Sequence, residues 1–315
     1  MIVDCHSHLY PPAFQNPAQP AEGIFGTMFD PDGLIARQDE AGVDLSVVSS
    51  PMIFGPGTPV DPLSLGAIRV YNDFAAELQA RYPRRIAAMA SAFPFGDEAH
   101  LRETERAIRD AGLRGVAVNS SVDSEYLDSE RATPFFDLIA QLGCPVFVHP
   151  PGGSAALPLP KALTEAILRP FDTTICIGRL AISGFFERYP HLRLIFGHVG
   201  GAIPMLLGRM DCSYTLRADR SFGDWGMTPP PQPPSTYIRK MYVDTVSWHP
   251  PAVRCAVESL GADHVLLGSD FPPVALPLAQ SVRAVTDLGL PPAETDQILG
   301  GNAQRLFRLQ AGDWR

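Results

Sequence analysis

The sequence predicts an α/β protein, a (β/α)8 (TIM) barrel, on three observations. Eight short apolar runs lack strict alternation, as strands buried on both faces do. Longer stretches of helical periodicity separate them. Eight such units fit comfortably into 315 residues, the usual length range of this barrel. A doubly wound open sheet is the alternative. No GxGxxG segment follows an apolar run, which counts against it.

The runs are Ile2–Cys5, Val43–Ser50, Ile86–Ala92, Gly115–Asn119, Pro145–His149, Leu192–His198, Met241–Thr245 and Val265–Asp270. Helices are expected over Pro31–Ala41, Pro62–Tyr82, Glu98–Ala111, Ala132–Leu142, Asp172–Tyr189, Ile203–Asp211, Pro251–Leu260 and Leu276–Leu288. Asp30-Pro31 and Asp61-Pro62 each put a capping side chain before a proline at the first helical position. Gly42, Gly112, Gly143 and Gly261 stand just past helix ends, where a left-handed cap is wanted. Extra loops follow strand 1 (Leu9–Phe29), strand 5 (Pro150–Phe171) and helix 6 (Cys212–Arg239). The proline run at 229–234 is too short to separate domains, so residues 1–315 read as a single domain. The helices from Pro292 onward are expected on the barrel's outside.

Composition narrows the function. Net charge is −9 and no basic run occurs, so no nucleic acid is expected as partner. Like-charge repulsion disfavours anionic membranes. No apolar stretch reaches the ~18 residues of a spanning helix, and no leader precedes the first run. The five cysteines, Cys5, Cys144, Cys176, Cys212 and Cys255, are scattered and form no CxxC pair. They read as reduced thiols of a cytoplasmic protein.

The first run ends in His6 and His8. In extended backbone, residues i and i+2 point the same way, so two imidazoles at one strand end are half of a metal site. By the same alternation Cys5 should face away from them. His149 ends strand 5, His198 ends strand 6, Asp244 lies near the end of strand 7 and Asp270 ends strand 8. The carboxyl ends of the strands are where barrel active sites form. A lone strand-end histidine is more often a satisfied buried imidazole; the recurrence on one rim is what points to a metal. His100, His191 and His264 fall at helix starts or the opposite end and read as structural.

Four segments carry a resemblance: Val3-Asp4-Cys5-His6-Ser7-His8, Val148-His149-Pro150, Phe196-Gly197-His198-Val199-Gly200-Gly201 and Gly268-Ser269-Asp270-Phe271-Pro272. Together they resemble the signatures of the amidohydrolase superfamily, and of the branch typified by aminocarboxymuconate-semialdehyde decarboxylase. The likeness runs the length of the chain and is densest from 145 to 305. It implies that His6, His8, His149 and Asp270 hold one divalent metal, most often zinc, with manganese, cobalt or iron as substitutes. His198 would then be the neighbouring acid/base group. An open fourth or fifth position is what a catalytic site needs. Strand 4, Gly115-Val116-Ala117-Val118-Asn119-Ser120, lacks the modified lysine that bridges two metals in many relatives, so a mononuclear site is expected.

Asp270 is also expected to act in catalysis, with orientation of a ligand histidine as its alternative role. The resemblance places a carboxylate-binding arginine at Arg209, eleven residues after His198. Its alternative is a surface arginine near a helix end. Phe271 is expected to wall the pocket, and Trp248 and His249 to line it or stand on its rim. Phe25, Met28 and Phe29 belong to a lid or, more simply, to the core. Two departures stand out. Residues 9–30 contain no lysine or arginine, where the decarboxylase has one for its substrate, and Pro151 replaces the tryptophan that follows its His-Pro.

Two reactions fit this constellation. One is non-oxidative decarboxylation of a small unsaturated or aromatic acid. The other is hydrolysis of an amide, lactone or related C–N or C–O bond. A non-catalytic metal-binding barrel is the remaining alternative. A small carboxylate or carbonyl compound is the expected partner, and the relatives imply a homodimer.

Overall fold

The computed structural model describes residues 1–16, 24–50, 61, 63–151, 159–217, 219, 228–273 and 276–309. Eight parallel strand positions form a closed barrel: β1 (Val3–His8), β2 (Leu45–Ser49), β3 (Ile86–Ala88, resumed at Ala90–Ser91), β4 (Val116–Asn119), β5 (Val146–His149), β6 (Leu194–Phe196), β7 (Tyr242–Asp244) and β8 (Val265–Leu266). The third strand breaks at Met89 because it changes partners there. Its first half pairs with β2 and its second with β4. Closure is made by backbone bonds across β1 and β8, from Cys5 to Leu267, Asp270 to His6 and His8 to Phe271 (2.7–2.8 Å).

Among the described residues, eight longer helices pack around this barrel: α1 (Pro31–Ala41), α2 (Leu65–Arg81), α3 (Glu98–Arg109), α4 (Thr133–Leu142), α5 (Arg169–Ile182), α6 (Ile203–Leu216), α7 (Pro250–Leu260) and α8 (Leu278–Thr286). Asp30 caps α1 as expected, accepting the Gly33 N–H at 2.9 Å. Gly42 ends it at φ 69°, a left-handed cap only glycine adopts without strain. The second helix corrects the Asp61-Pro62 start: Ser64 is its cap, accepting Ala67 N–H, and Pro62 lies outside the described residues. Around β4 and β5 the chain adds a short hairpin, Ser121–Val122 with Glu125–Tyr126, that periodicity did not announce.

Two further corrections concern the barrel's ends. Strand β1 ends with His6 and His8 as expected, past the apolar run Ile2–Cys5, and its pairing slips between Asp4 and Ser7. Such a bulge puts two successive side chains on one face. Cys5 accordingly packs inside with Val3, Leu45, Val47, Ala87 and Phe147, and the Phe147 ring also meets His6 edge-on at 4.8 Å. The predicted opposition of Cys5 and the histidines therefore fails. The last helix (Asn302–Phe307) closes the amino end of the barrel instead of covering its outside. Ala303, Leu306, Phe307 and Leu309 share the inner cluster of Val3 and Leu266, and Asn302 donates to Ala262 and Val265.

Candidate metal centre

At the carboxyl end of the barrel, His6 and His8 leave β1, His149 ends β5, His198 follows β6, and Asp270 follows β8. His6 Nε2 lies 3.1 Å from His8 Nε2 and 3.2 Å from Asp270 Oδ1. His8 Nε2 is 3.0 Å from the same oxygen. The ring of His149 stands 5.1 Å from that of His6 and 5.2 Å from that of His8. His198 Nε2 is 3.3 Å from Asp270 Oδ2. One ligand atom each from His6, His149, His198 and Asp270 falls within 4.8 Å of all the others. The five side chains expected around the metal are thus brought together, with His8 touching the group through His6 and Asp270.

The outer nitrogen of three rings is already used. His6 Nδ1 is 2.6 Å from Asp244 Oδ2, His8 Nδ1 is 3.1 Å from the Ser49 carbonyl, and His149 Nδ1 is 2.9 Å from the Pro150 carbonyl. Each acceptor can only receive, so each Nδ1 carries the proton and each Nε2 turns a lone pair inward. His149 Nε2 is buried without a hydrogen-bond partner among the described residues. Buried polar atoms are nearly always paired, and lone pairs facing each other and a carboxylate at about 3 Å repel. A cation in their midst turns that repulsion into attraction. The donor set therefore fits a divalent metal: three imidazoles with their outer nitrogens anchored, plus one carboxylate.

Electrostatics agree. Burial alone works against a proton on His6, but the carboxylates of Asp270 and Asp244 overcome it and push His6 up to about 10. Positive charge is therefore favoured at this point, whether a proton or a metal carries it. Burial holds His8 below and His149 well below the usual imidazole range, with neighbouring imidazoles adding to the effect on both. Burial opposes the charge on Asp270, yet His6 and hydrogen bonds from His198, His6 and His8 hold it well below the carboxylate range.

The backbone is strained where the chemistry sits. His198, Val199 and Asp270 all have φ of 57–59°, a region L-residues avoid, most of all a β-branched one. Such residues persist when their surroundings over-determine them. Here Asp244 Oδ1 accepts the N–H of Val199 and of Val246, each at 3.0 Å. Asp4, fully buried in β1, accepts from Ser269 N–H (3.0 Å), Ser269 Oγ (2.6 Å), Ser7 Oγ (2.5 Å) and His6 N–H (3.1 Å). It stitches the His6 turn to the Asp270 turn. Burial raises its pKa despite these donors. Sequence reasoning gave Asp4 no role and left Asp244 as a strand-end carboxylate without one. The orienting role it weighed for Asp270 is filled by Asp244.

The other expected residues lie further out. Phe271 is buried beside Asp270, under the Arg37 guanidinium at 5.4 Å. Phe271 and Pro272 also wall a cleft of about 590 Å³ with Thr27, Arg37 and Leu278; none of the metal-cluster residues lines it. Trp248 is half-buried at φ 51°, its indole N–H without a partner among the described residues. His249 is exposed at the start of α7. Arg209 is exposed on α6 and has no ion pair among the described residues. Met28 and Phe29 pack against the core; the Phe25 side chain lies outside the described residues. Asn119, facing His149 across the β4–β5 pairing, stands at the strand end where a bridging lysine would have been needed.

A family model described as Amidohydrolase matches residues 3–309. The chain is 30% identical over 293 residues to the 2-amino-3-carboxymuconate-6-semialdehyde decarboxylase of Dictyostelium discoideum, covering 91% of this chain and 79% of that one. The crystal structure of 5-carboxyvanillate decarboxylase from Sphingomonas paucimobilis superposes with a TM-score of 0.82 at 25% identity, over 98% of this chain and 99% of the other. The corresponding enzyme of Novosphingobium aromaticivorans, complexed with manganese and 4-hydroxy-3-methoxy-5-nitrobenzoic acid, gives 0.80 at 25% identity, over 94% and 86%. With a match across nearly its whole length and the anchored histidines in place, this chain belongs to the amidohydrolase family.

Proposed function

We propose that the protein is a metal-dependent, non-oxidative decarboxylase of a small aromatic or unsaturated carboxylic acid. The observation that carries the reading is the inward convergence of His6, His8 and His149 Nε2 with Asp270, beside a histidine, His198, whose outer nitrogen has no partner among the described residues. The likeness to three decarboxylases supports it. In this reading His6, His8, His149 and Asp270 are the ligands and His198 the proton-transfer group. The imidazole-rich set suits zinc, with manganese, cobalt and iron as rivals.

A bound divalent cation supplies charge neutralisation for the oxygens of an acid drawn into the site. The chain's own groups do the rest. Asp244, Ser49 and Pro150 keep three rings in one tautomer. His198 Nε2, beside Asp270 Oδ2, holds the proton that the substrate carbon takes up as its bond to the leaving carboxylate breaks and carbon dioxide departs. The electrons of that bond become the new C–H bond, so no oxidant is needed. Phe271 walls the cavity, Trp248 and His249 stand on its rim, and Arg209 adds positive charge on the approach. The reading takes residues 1–315 as one catalytic domain acting in the cytoplasm as a homodimer; no described helix is long and apolar enough to cross a membrane.

The deciding experiment incubates the metal-loaded protein with a panel of hydroxybenzoates, dicarboxylates and lactones in oxygen-18 water. Carbon dioxide release with one solvent hydrogen gained at carbon is expected. Oxygen-18 in a carboxylate or hydroxyl product, without carbon dioxide, overturns the reading in favour of hydrolysis.

A further inference from the structure

The mouth of the barrel holds one more inward side chain, Asn119. Strands β4 and β5 pair without a slip from Val116↔Val146 to Asn119↔His149. Neighbours in register on parallel strands point to the same face. Val116, Val118, Val146 and Val148 belong to the outer cluster, with the helix residues Phe135, Ile139 and Leu180. Ala117 and Phe147 belong to the inner one. Alternation therefore turns Asn119 inward beside His149, one layer above Ala117. Adjacent strands lie about 4.8 Å apart, so Asn119 stands one strand spacing from a histidine of the metal cluster. Phe147, the partner of Ala117, meets the His6 ring edge-on, which puts the layer of Asn119 level with the cluster.

Asn119 is buried, and its amide oxygen has no hydrogen-bond partner among the described residues. Such orphans are rare in folded proteins. The chain on its carboxyl side leaves it no freedom to find a partner. The Ser120 N–H donates to the His149 carbonyl at 2.9 Å. The hydroxyls of Ser120 and Ser121 both go to Asp172 on α5, which also accepts from Tyr126 at 2.9 Å. The end of β4 is thus tied to a helix outside the barrel, while the amide is left aimed into the mouth. It shares that mouth with two other orphaned atoms, His149 Nε2 and His198 Nδ1.

We propose that Asn119 is a specificity-determining residue. Its amide oxygen accepts a hydrogen bond from a hydroxyl or amino group that the substrate carries beside its acid group. The amide is uncharged, so it adds nothing to the attraction for the acid itself. It discriminates because an acid without the donor leaves a buried acceptor unpaired. The substrate class narrows accordingly, to aromatic or unsaturated acids with a neutral donor on the carbon skeleton. The inference rests on the decarboxylase reading for the word substrate, but its test is a binding measurement.

Isothermal titration of the manganese-loaded protein compares benzoate with 2-hydroxybenzoate and 3-hydroxybenzoate. Wild type is expected to bind at least one hydroxy acid about three- to tenfold more tightly than benzoate, the scale of one net hydrogen bond. The methyl ether of that acid, which has no donor, should bind no better than benzoate. Asn119→Leu, similar in volume and without polar atoms, should erase the preference while leaving benzoate affinity and manganese content unchanged. Equal binding of all three acids to wild type overturns the proposal. So does a preference that survives Asn119→Leu, since the hydroxyl would then be read by the metal. Loss of manganese in that variant also overturns it, by making the amide a ligand. Should Asn119→Leu fail to fold, Asn119→Ser, whose side chain stops short of the mouth, takes its place under the same criteria. Absence of carbon dioxide release from every acid would sink the decarboxylase reading and leave this binding result standing.

Discussion

His6 Nδ1 lies 2.6 Å from Asp244 Oδ2, across 238 positions of sequence. Both groups are fully buried, so the contact is a charge-assisted hydrogen bond in a low-dielectric interior. It sets the proton on Nδ1 and leaves Nε2 free to ligate. The other Asp244 oxygen holds the strained Val199, next to His198. One carboxylate thus orients the proposed ligand His6 and braces the turn of the proposed proton-transfer residue His198.

Asp244→Asn keeps the shape of that side chain but presents an amide in place of a charged acceptor. The expected outcome is a fall in metal affinity of about 10–100-fold, the usual effect of losing such an orienting partner. Competition with a chromophoric chelator measures it. Affinity equal to wild type would mean that the His6 tautomer is set elsewhere.

His198→Ala separates acid/base chemistry from ligation. His198 has its Nε2 3.3 Å from Asp270 but no acceptor on Nδ1 among the described residues, unlike the three anchored rings. A group that moves a proton contributes about 10²–10⁴-fold in rate. Turnover should fall by that factor while metal analysis still finds one ion per chain. Loss of the ion would instead make His198 a ligand, as its place in the four-atom cluster allows.

The barrel was legible because its signals are local. Buried parallel strands read as apolar runs, and the Asp30-Pro31 and Gly42 ends of α1 follow from cap chemistry alone. The clustering of the histidines was legible because they occupy strand ends, a position that topology converts into proximity. What escaped depends on a second, distant chain segment. The bulge in β1 arises from closure against β8, so alternation misplaced Cys5. Asp4 looks like any strand residue until Ser269 is laid against it.

Glu103 offers a test of stability against pH away from the metal. Its carboxyl is buried and accepts from Asn72 Nδ2 at 2.8 Å and Arg106 Nε at 2.8 Å. Burial works against its charge, but the bonds from Arg106 and Asn72 prevail and lower its pKa. A depressed carboxylate contributes stability above its unfolded pKa and loses it as pH falls through the folded value. Glu103→Gln should therefore cost about 1–3 kcal/mol at pH 7 and progressively less below about pH 4. Urea titrations of both proteins at pH 7 and pH 3.5 check it. A difference that is constant with pH would mean that packing, not charge, is what the residue contributes.

Gly268→Ala probes how tightly the strand β8 turn is held against the metal ligands. An added Cβ would stand 2.9 Å from Asp244 Cβ and 3.0 Å from His6 Cβ. Neither atom is the free end of a flexible side chain, so the overlap can be relieved only by moving backbone. Overpacking of this kind costs about 1–3 kcal/mol. The displaced pair is the one that orients His6, so the damage should not stop at stability. Melting temperature should fall, and metal content after dialysis should fall with it. Gly66→Ala, at an exposed position in the first turn of α2 with open space around its Cβ, is the matched control and should lower neither. A Gly268→Ala protein that melts lower but keeps its full complement of metal would show that the centre rides on β8 as a rigid unit, independent of the local fit between Gly268, His6 and Asp244.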